Sequence, residues 1–131
     1  MKISYLKTFL TAGIFSFLSV GATMAVELQI EDIKIGTGIV AADNDRIAVD
    51  YEGHLEDGTQ FDSSYKRGEP FEFDLGQGQV IRGWDKGLRG MKVGGKRHLV
   101  IPPEMGYGSN DLSLIPPNST LIFDVELVDI R

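Results

Sequence analysis

The residues best suited to act on another molecule are six aromatic side chains from separate segments of the chain. They are Tyr51, Phe61, Phe71, Trp84, Tyr107 and Phe123. Such rings either fill the core of a small domain or line an apolar binding site. A core is the more common role, but two features weaken that interpretation here. Tyr and Trp carry polar groups that need a partner when buried. Aliphatic residues could also fill the core instead, among them Val49, Leu99 and Val125.

Groups for covalent, acid–base or metal chemistry are scarce. The chain has no cysteine, which excludes disulfides, thiol catalysis and cysteine-ligated metals. Ser63 and Ser64 lie outside any Gly-x-Ser-x-Gly motif, so neither has the setting of a nucleophilic serine. His54 and His98 are the only histidines, and neither belongs to a metal-spacing motif. The sequence therefore predicts no metal site and no cofactor.

Strands dominate the predicted structure. Residues 46–55 alternate apolar and polar, which predicts a strand with Ile47, Val49, Tyr51 and Leu55 on one face. His54 lies on the polar face of this strand and His98 on a later strand, and we expect both side chains to be solvated. An Asp-Gly pair within residues 56–59 then predicts a hairpin turn. Similar patterns predict further strands at residues 71–75, 99–101 and 121–127, and an earlier one through Leu28, Ile30 and Ile33.

One helix is predicted, and it carries the tryptophan. Ile81, Trp84 and Leu88 share one face at helical spacing, whereas Asp85 and Lys86 are expected to turn away from that face. About two turns of helix are too short to be stable alone, so the sheet must support it. The fold class is therefore α+β, with one curved antiparallel sheet around one short helix.

Glycines mark the connections in this prediction. Gly90 is placed to cap the end of the helix. Gly76-Gln77-Gly78 and Gly94-Gly95 lack the remainder of a phosphate-binding signature, so turns are the better interpretation.

The first 25 residues are typical of a secretory signal peptide. Lys2 and Lys7 precede a mostly apolar run over residues 8–20, and small residues follow up to Ala25, the expected cleavage point. An uncleaved membrane anchor is the alternative, but the run is shorter than the ~20 apolar residues of a spanning helix. Removing two of 13 basic and none of 19 acidic residues would leave a net charge of −8. That charge argues against nucleic acid or an anionic membrane as partner.

Several strings of the sequence together resemble one known family. The strings are Val-Asp-Tyr-Glu-Gly-His-Leu-Glu-Asp-Gly (49–58), Phe-Asp-Ser-Ser (61–64), Gly-Gln-Gly-Gln-Val-Ile-Arg-Gly-Trp-Asp (76–85) and Ile-Pro-Pro-Asn-Ser-Thr-Leu-Ile-Phe-Asp-Val-Glu-Leu (115–127). Their order and spacing are similar to those of the FKBP-type prolyl isomerases, which bind tacrolimus and rapamycin. The resemblance covers residues 36–131 and indicates one domain over residues 26–131.

The resemblance implies a sheet of about five strands wrapped around the short helix, and a pocket for a proline ring above the indole of Trp84. Implied catalytic residues are Tyr51, Asp62, Trp84, Tyr107 and Phe123. Implied substrate-binding residues are Phe61, Phe71, Val80, Ile81 and Ile115. Tyr107 would donate a hydrogen bond to a substrate carbonyl, and Asp62, partnered by Tyr51, would orient the carbonyl side of the twisting bond.

The implied function is peptidyl-prolyl cis/trans isomerisation in protein folding, with no covalent intermediate. Expected partners are proline-containing unfolded or partly folded polypeptides, with tacrolimus and rapamycin as inhibitors. Export predicts a periplasmic protein without stable membrane insertion after cleavage, and a monomer is expected. Residues 109–114 depart from the family pattern, which bears on macrolide affinity. Two alternatives stay open: a folding factor that binds polypeptides with little isomerase activity, and a carbohydrate-binding module.

Overall fold

Residues 27–131 are described by the structure, a computed structural model, so the predicted signal peptide lies outside the described residues. Six strands alternate with short helical segments. The strands are β1 (Gln29–Lys34), β2 (Arg46–Leu55), β3 (Gln60–Ser63), β4 (Phe71–Asp74), β5 (Lys96–Ile101) and β6 (Leu121–Ile130). The helices are α1 (Ser64–Arg67) and α2 (Arg82–Gly87), and Pro103–Met105 form a 3₁₀ turn. From residue 27 onward, no helix has the length and apolar character required to span a bilayer.

All strand pairs are antiparallel and belong to one sheet, in the order β1-β5-β6-β2. The far edge of β2 is divided between two partners. Its first half pairs with β4, up to Val49 opposite Phe71, and its second half pairs with β3, where Glu52 lies opposite Ser63. The predicted α+β fold is confirmed, with six strands rather than about five.

The inner face of the sheet carries the core, and α2 packs on it. The side chains of Leu99, Leu121 and Val125 are fully buried there. Two glycines of α2 allow the close approach. A Cβ at Gly83 would lie 2.5 Å from the Ile101 side chain, and one at Gly87 would lie 3.0 Å from the Leu99 side chain. The helix therefore lies directly against β5, and Trp84 is buried between helix and sheet.

Three predictions about helices are wrong. A second helix, α1, is present; its four residues are too few to show a helical apolar period. Gly90 does not cap α2, since Leu88 holds that position and Gly90 lies two residues beyond, with φ 81° and its N–H donated to the Ala41 carbonyl. Asp85 is only 9% exposed rather than turned to solvent, because its carboxylate accepts backbone N–H groups from a neighbouring turn.

The two histidines lie on the outer face of the sheet but are half-buried rather than solvated. His98 Nδ1 is 2.7 Å from Oδ1 of Asp124, which lies directly opposite on β6. His54 Nε2 is 3.4 Å from Nε2 of Gln60 on β3. Cross-strand neighbours cover both rings, and this pairing cannot be deduced from the alternation of a single strand.

Candidate functional site

Trp84 is the centre of the aromatic cluster. It lies in the first turn of α2, and its side chain is 4% exposed. The indole meets the rings of Tyr51 and Phe123 edge-on, at centroid distances of 4.9 and 5.3 Å. Phe73 and Phe71 lie at 5.7 and 6.2 Å. Within residues 27–131 the buried indole Nε1 has no hydrogen-bond partner. An unsatisfied buried donor costs about 1–3 kcal/mol, so stability alone does not explain a tryptophan here.

The four rings that contact Trp84 come from three strands, and a fifth ring, Phe61, packs on one of them. Phe61 of β3 and Phe123 of β6 meet at 5.5 Å with planes at 89°. Both rings lie over Gly53 of β2, where a Cβ would be 2.7 Å from a ring carbon of each. Any larger residue at Gly53 would therefore displace both rings.

The other residues implied by the resemblance lie around the cluster. Val80 and Ile81 are half-buried against the core just before α2 begins, and Ile115 is buried within the core. Phe71 and Tyr107 are the most exposed of the set, at 38% and 36%. Burial, and then the negative charge of Asp62, raise the pKa of Tyr107. The structure thus brings Phe71, Val80, Ile81 and Ile115 to the cluster and places Tyr107 within electrostatic reach of Asp62. The roles of these side chains toward a substrate stay predictions.

A polar network stands at the edge of the rings. The Tyr51 hydroxyl donates to Oδ2 of Asp62 at 2.5 Å. Arg67 donates from Nη1 to Oδ1 of Asp62 at 2.7 Å and from Nη2 to the Tyr51 hydroxyl at 2.8 Å. Its guanidinium carbon also lies 5.6 Å from the Tyr51 ring centroid. The Tyr51–Asp62 partnership was predicted, but Arg67 was missed.

Local structure explains how Arg67 reaches this network. The Ser64 hydroxyl accepts the Tyr51 N–H and donates to the Asp50 carboxylate, both at 2.8 Å, which anchors α1 to β2. At the other end of α1, Gly68 adopts φ 78° and donates its N–H to carbonyls of that helix. Arg67 is therefore held facing β2. The only sequence signal for it was a basic residue shortly after Asp62, and nothing local showed that the chain turns back.

The charge states of the network follow from these contacts. Burial works to raise the pKa of Asp62, but hydrogen bonds from Tyr51, Arg67 and the Ser63 N–H outweigh it and lower that pKa overall. Burial, followed by the bond to Asp62, raises the pKa of Tyr51 to about 12. At neutral pH the site therefore combines a fixed carboxylate, a fixed guanidinium and a neutral phenol. Neither Asp62 nor Tyr51 is poised to exchange a proton at that pH.

Two surface cavities occur elsewhere in the described part of the chain. One of about 60 Å³ is lined by Asp32, Lys34 and Arg97, among others. One of about 220 Å³ is lined by Glu52, Tyr65, Lys96 and Asp124. Both are bordered by charged side chains, and neither contains a residue of the aromatic cluster.

Relatives of known name resemble this chain over most of its length. The family model of FKBP-type peptidyl-prolyl cis-trans isomerase matches residues 38–128. An FK506-binding protein of Neisseria meningitidis serogroup B is 54% identical over 104 residues, which are 79% of this chain and 95% of that protein. FK506-binding protein 4 of Neurospora crassa is 55% identical over 104 residues, but these span only 22% of its length.

Solved structures agree with these relatives. The crystal structure of AtFKBP13 superposes with a TM-score of 0.74 at 42% identity, covering 79% of this chain and 93% of that one. The crystal structure of FkpA from Escherichia coli gives a TM-score of 0.73 at 50% identity, covering 79% and 48%. The fold and the isomerase function predicted from sequence are confirmed by these matches. The chain belongs to the family of FKBP-type peptidyl-prolyl cis-trans isomerases.

Proposed function

We propose that the aromatic cluster over Trp84 binds the proline ring of a polypeptide and lets the preceding amide bond twist. The observation that carries this is the nearly buried indole, enclosed by four rings, beside a polar network that does not titrate near neutrality. Rotation about an amide has a barrier of about 18–20 kcal/mol and breaks no bond. Such a reaction needs no nucleophile or base, in keeping with the side chains present.

The apolar surroundings would lower the barrier through differential binding. In the twisted state resonance is lost, and the carbonyl oxygen gives up part of its negative charge. A dry aromatic surface therefore disfavours the planar amide more than the twisted one, and catalysis requires this preference.

Individual side chains have distinct roles in this proposal. The proline ring is held on the indole by two aromatic and two aliphatic side chains, Phe71, Phe123, Val80 and Ile81. The same surface is bordered by Phe61 and Ile115. Tyr107, whose ring is partly exposed, donates a hydrogen bond to a substrate carbonyl. The ionised Asp62 carboxylate and the substrate carbonyl oxygen are both hydrogen-bond acceptors, so Asp62 acts on the carbonyl through its charge. Tyr51, Ser63 and Arg67 hold the carboxylate in place with hydrogen bonds.

A refolding assay tests the proposal. The protein spanning residues 26–131 is added at catalytic amounts to a protein whose refolding is limited by a trans-to-cis prolyl step. We expect the slow rate constant to rise in proportion to the added protein. A folding factor with little isomerase activity would leave that rate unchanged and suppress aggregation only at stoichiometric amounts, and this result would reject isomerisation as the function.

The rate should depend little on pH. Asp62, with its lowered pKa, stays ionised, and Tyr51 and Tyr107, with raised pKa values, stay neutral from about pH 6 to 8.5. Because folding lowers the pKa of Asp62, the ionised network stabilises the fold at every pH above the ordinary carboxyl pKa. This contribution to folding stability is lost only as the pH falls through the lowered pKa. We expect a nearly flat kcat/KM across that window.

Replacing both histidines provides the control. His54 and His98 lie on the outer face of the sheet, so the double Gln variant should keep kcat/KM within about threefold. An inflection between about pH 6 and 8.5 that disappears in this variant would mean that a histidine takes part, and a purely apolar mechanism would be wrong.

Rapamycin should inhibit the enzyme at sub-micromolar concentration, which corresponds to binding stronger than about −8 kcal/mol. The expectation rests on the aromatic set around Trp84 and on relatives that are named for binding FK506. Inhibition of peptide isomerisation, with calorimetry to obtain Kd, measures it. No binding at about ten micromolar would show that residues 109–114, which depart from the family pattern, reshape the site.

Export to the periplasm, with cleavage after Ala25, completes the proposal. It rests on the positive, apolar and small residues in that order at the start of the chain. The intact mass of protein from the extracytoplasmic fraction should correspond to a monomeric chain that begins at Val26. A mature protein that still begins at Met1 would contradict the cleavage.

A further inference from the structure

We infer that Asp85 is a positioning residue for the isomerase site, because its carboxylate fixes the segment of residues 76–81 that forms the wall beside Trp84. This inference rests on the proposed function, since it states what holds the proline-binding wall in place. Asp85 directly follows Trp84 in α2, yet its side chain lies beneath the neighbouring turn rather than in the aromatic cluster.

The contacts of the Asp85 carboxylate are specific. Oδ1 accepts the Gly76 N–H at 2.8 Å, and Oδ2 accepts the Gly78 N–H at 2.9 Å. None of the ion pairs found from residue 27 to the C-terminus includes this carboxylate. A buried charge is costly unless hydrogen bonds compensate it, so these two bonds are the main local compensation.

The same residue also holds the other end of the segment. The backbone N–H of Asp85 donates to the Ile81 carbonyl at 3.2 Å. Residues 76–81 are thus tied at both ends to the residue next to the indole. Val80 and Ile81, which belong to the proposed wall, occupy the end of this closed segment and pack against the core.

The segment has few other means of holding its shape. Gly76 and Gly78 have φ values of 81° and 72°, a region that glycine adopts freely, so the turn is not fixed by its own backbone. Gln77 and Gln79 make side-chain hydrogen bonds with Asn44 and Asp74, but these bonds are exposed to solvent. The carboxylate of Asp85 is buried, so water replaces its two hydrogen bonds less readily than it replaces the exposed glutamine bonds.

Loss of this tie should appear in substrate binding. Because the wall contacts the proline ring both before and during the twist, we expect Asp85→Asn to raise KM by about tenfold and to leave kcat within about threefold. The amide nitrogen of Asn would face a backbone N–H, so one of the two bonds must be lost.

The experiment measures kcat and KM on one X–Pro peptide at a temperature where circular dichroism shows each variant folded. Hydrogen exchange at the Gly76 and Gly78 amides is followed in the same samples. Asp57→Asn is the matched control, because Asp57 accepts the Thr59 N–H at 2.9 Å in the β2–β3 hairpin, a turn bond that contacts none of the site residues. We expect faster exchange at Gly76 and Gly78 together with the higher KM in Asp85→Asn only.

A second variant loosens the same turn without changing Asp85. At Gly78 a Cβ would meet nothing within 4 Å, but its positive φ disfavours an L side chain, so Gly78→Ala should reproduce the higher KM. Gly58→Ala in the hairpin, with φ 91° and equally open space, is its control. Faster exchange at Gly76 and Gly78 with an unchanged KM would overturn the inference, as would a raised KM with unchanged exchange. Absence of isomerisation by the wild type would instead reject the proposed function and leave the exchange result on the turn valid.

Discussion

Trp84→Ala should lower kcat/KM by at least about 100-fold, which corresponds to about 2.7 kcal/mol of transition-state stabilisation. The indole is the surface on which the proline ring would rest, and four rings pack against it. Truncation removes that surface and leaves a cavity into which Tyr51 and Phe123 can relax. The measurement is the isomerisation rate of a proline peptide, taken well below the melting temperature of the variant.

Loss of stability must be separated from loss of the binding surface. Leu88 lies one turn after Trp84 in the same buried layer and is fully buried. Leu88→Ala should therefore lose about 2–5 kcal/mol of unfolding free energy and keep kcat/KM within about threefold. Equal losses of kcat/KM in the two variants would mean that Trp84 acts only through folding stability.

Gly53→Ala should lower kcat/KM by about 10- to 100-fold, although the change adds a single methyl group. The new Cβ would lie 2.7 Å from ring carbons of Phe61 and Phe123, so both rings must shift from their present positions. Overpacking of this kind costs about 1–3 kcal/mol of unfolding free energy. Peptide kinetics and urea unfolding on the same preparation measure the two effects.

Gly58→Ala is the comparison for this variant. Its Cβ would meet nothing within 4 Å, so it introduces only backbone strain at φ 91° in the hairpin turn. We expect a loss of about 1 kcal/mol in stability and an unchanged kcat/KM. If Gly53→Ala also kept full activity, the rings of Phe61 and Phe123 would not need their present positions for catalysis.

The sheet could be predicted from sequence because strand alternation is a local signal. The predicted bounds, residues 46–55, are those of β2, although Ala48 is buried as well as Ile47 and Val49 where the register shifts. The pattern from residue 121 onward predicts most of β6. Both strands have one buried face, which fixes which residues point inward. The aromatic residues could be named because of their residue type and the family resemblance. The structure then places Tyr51, Phe71 and Phe123 against the indole and Phe61 against Phe123.

The parts that were missed depend on contacts between distant segments. Arg67 reaches Tyr51 only because α1 folds back on β2, and no apolar period announces a helix of four residues. The side chain of Asp85 was assigned to solvent because helical spacing alone places it away from the apolar face. In the structure, the turn that contains Gly76 and Gly78 covers the side of α2 that carries Asp85. The N–H groups of these two glycines make burial of the carboxylate favourable.

The position of the tryptophan gives the chain an intrinsic optical probe. Trp84 is the only tryptophan in the sequence, so indole fluorescence comes from one location, the floor of the site. A ligand that displaces the remaining water above the ring would change the emission, and binding curves could be recorded without any label. Unfolding would expose the same indole and shift its emission to longer wavelength. One signal would then follow both occupancy of the site and loss of the fold, in every variant that retains this side chain.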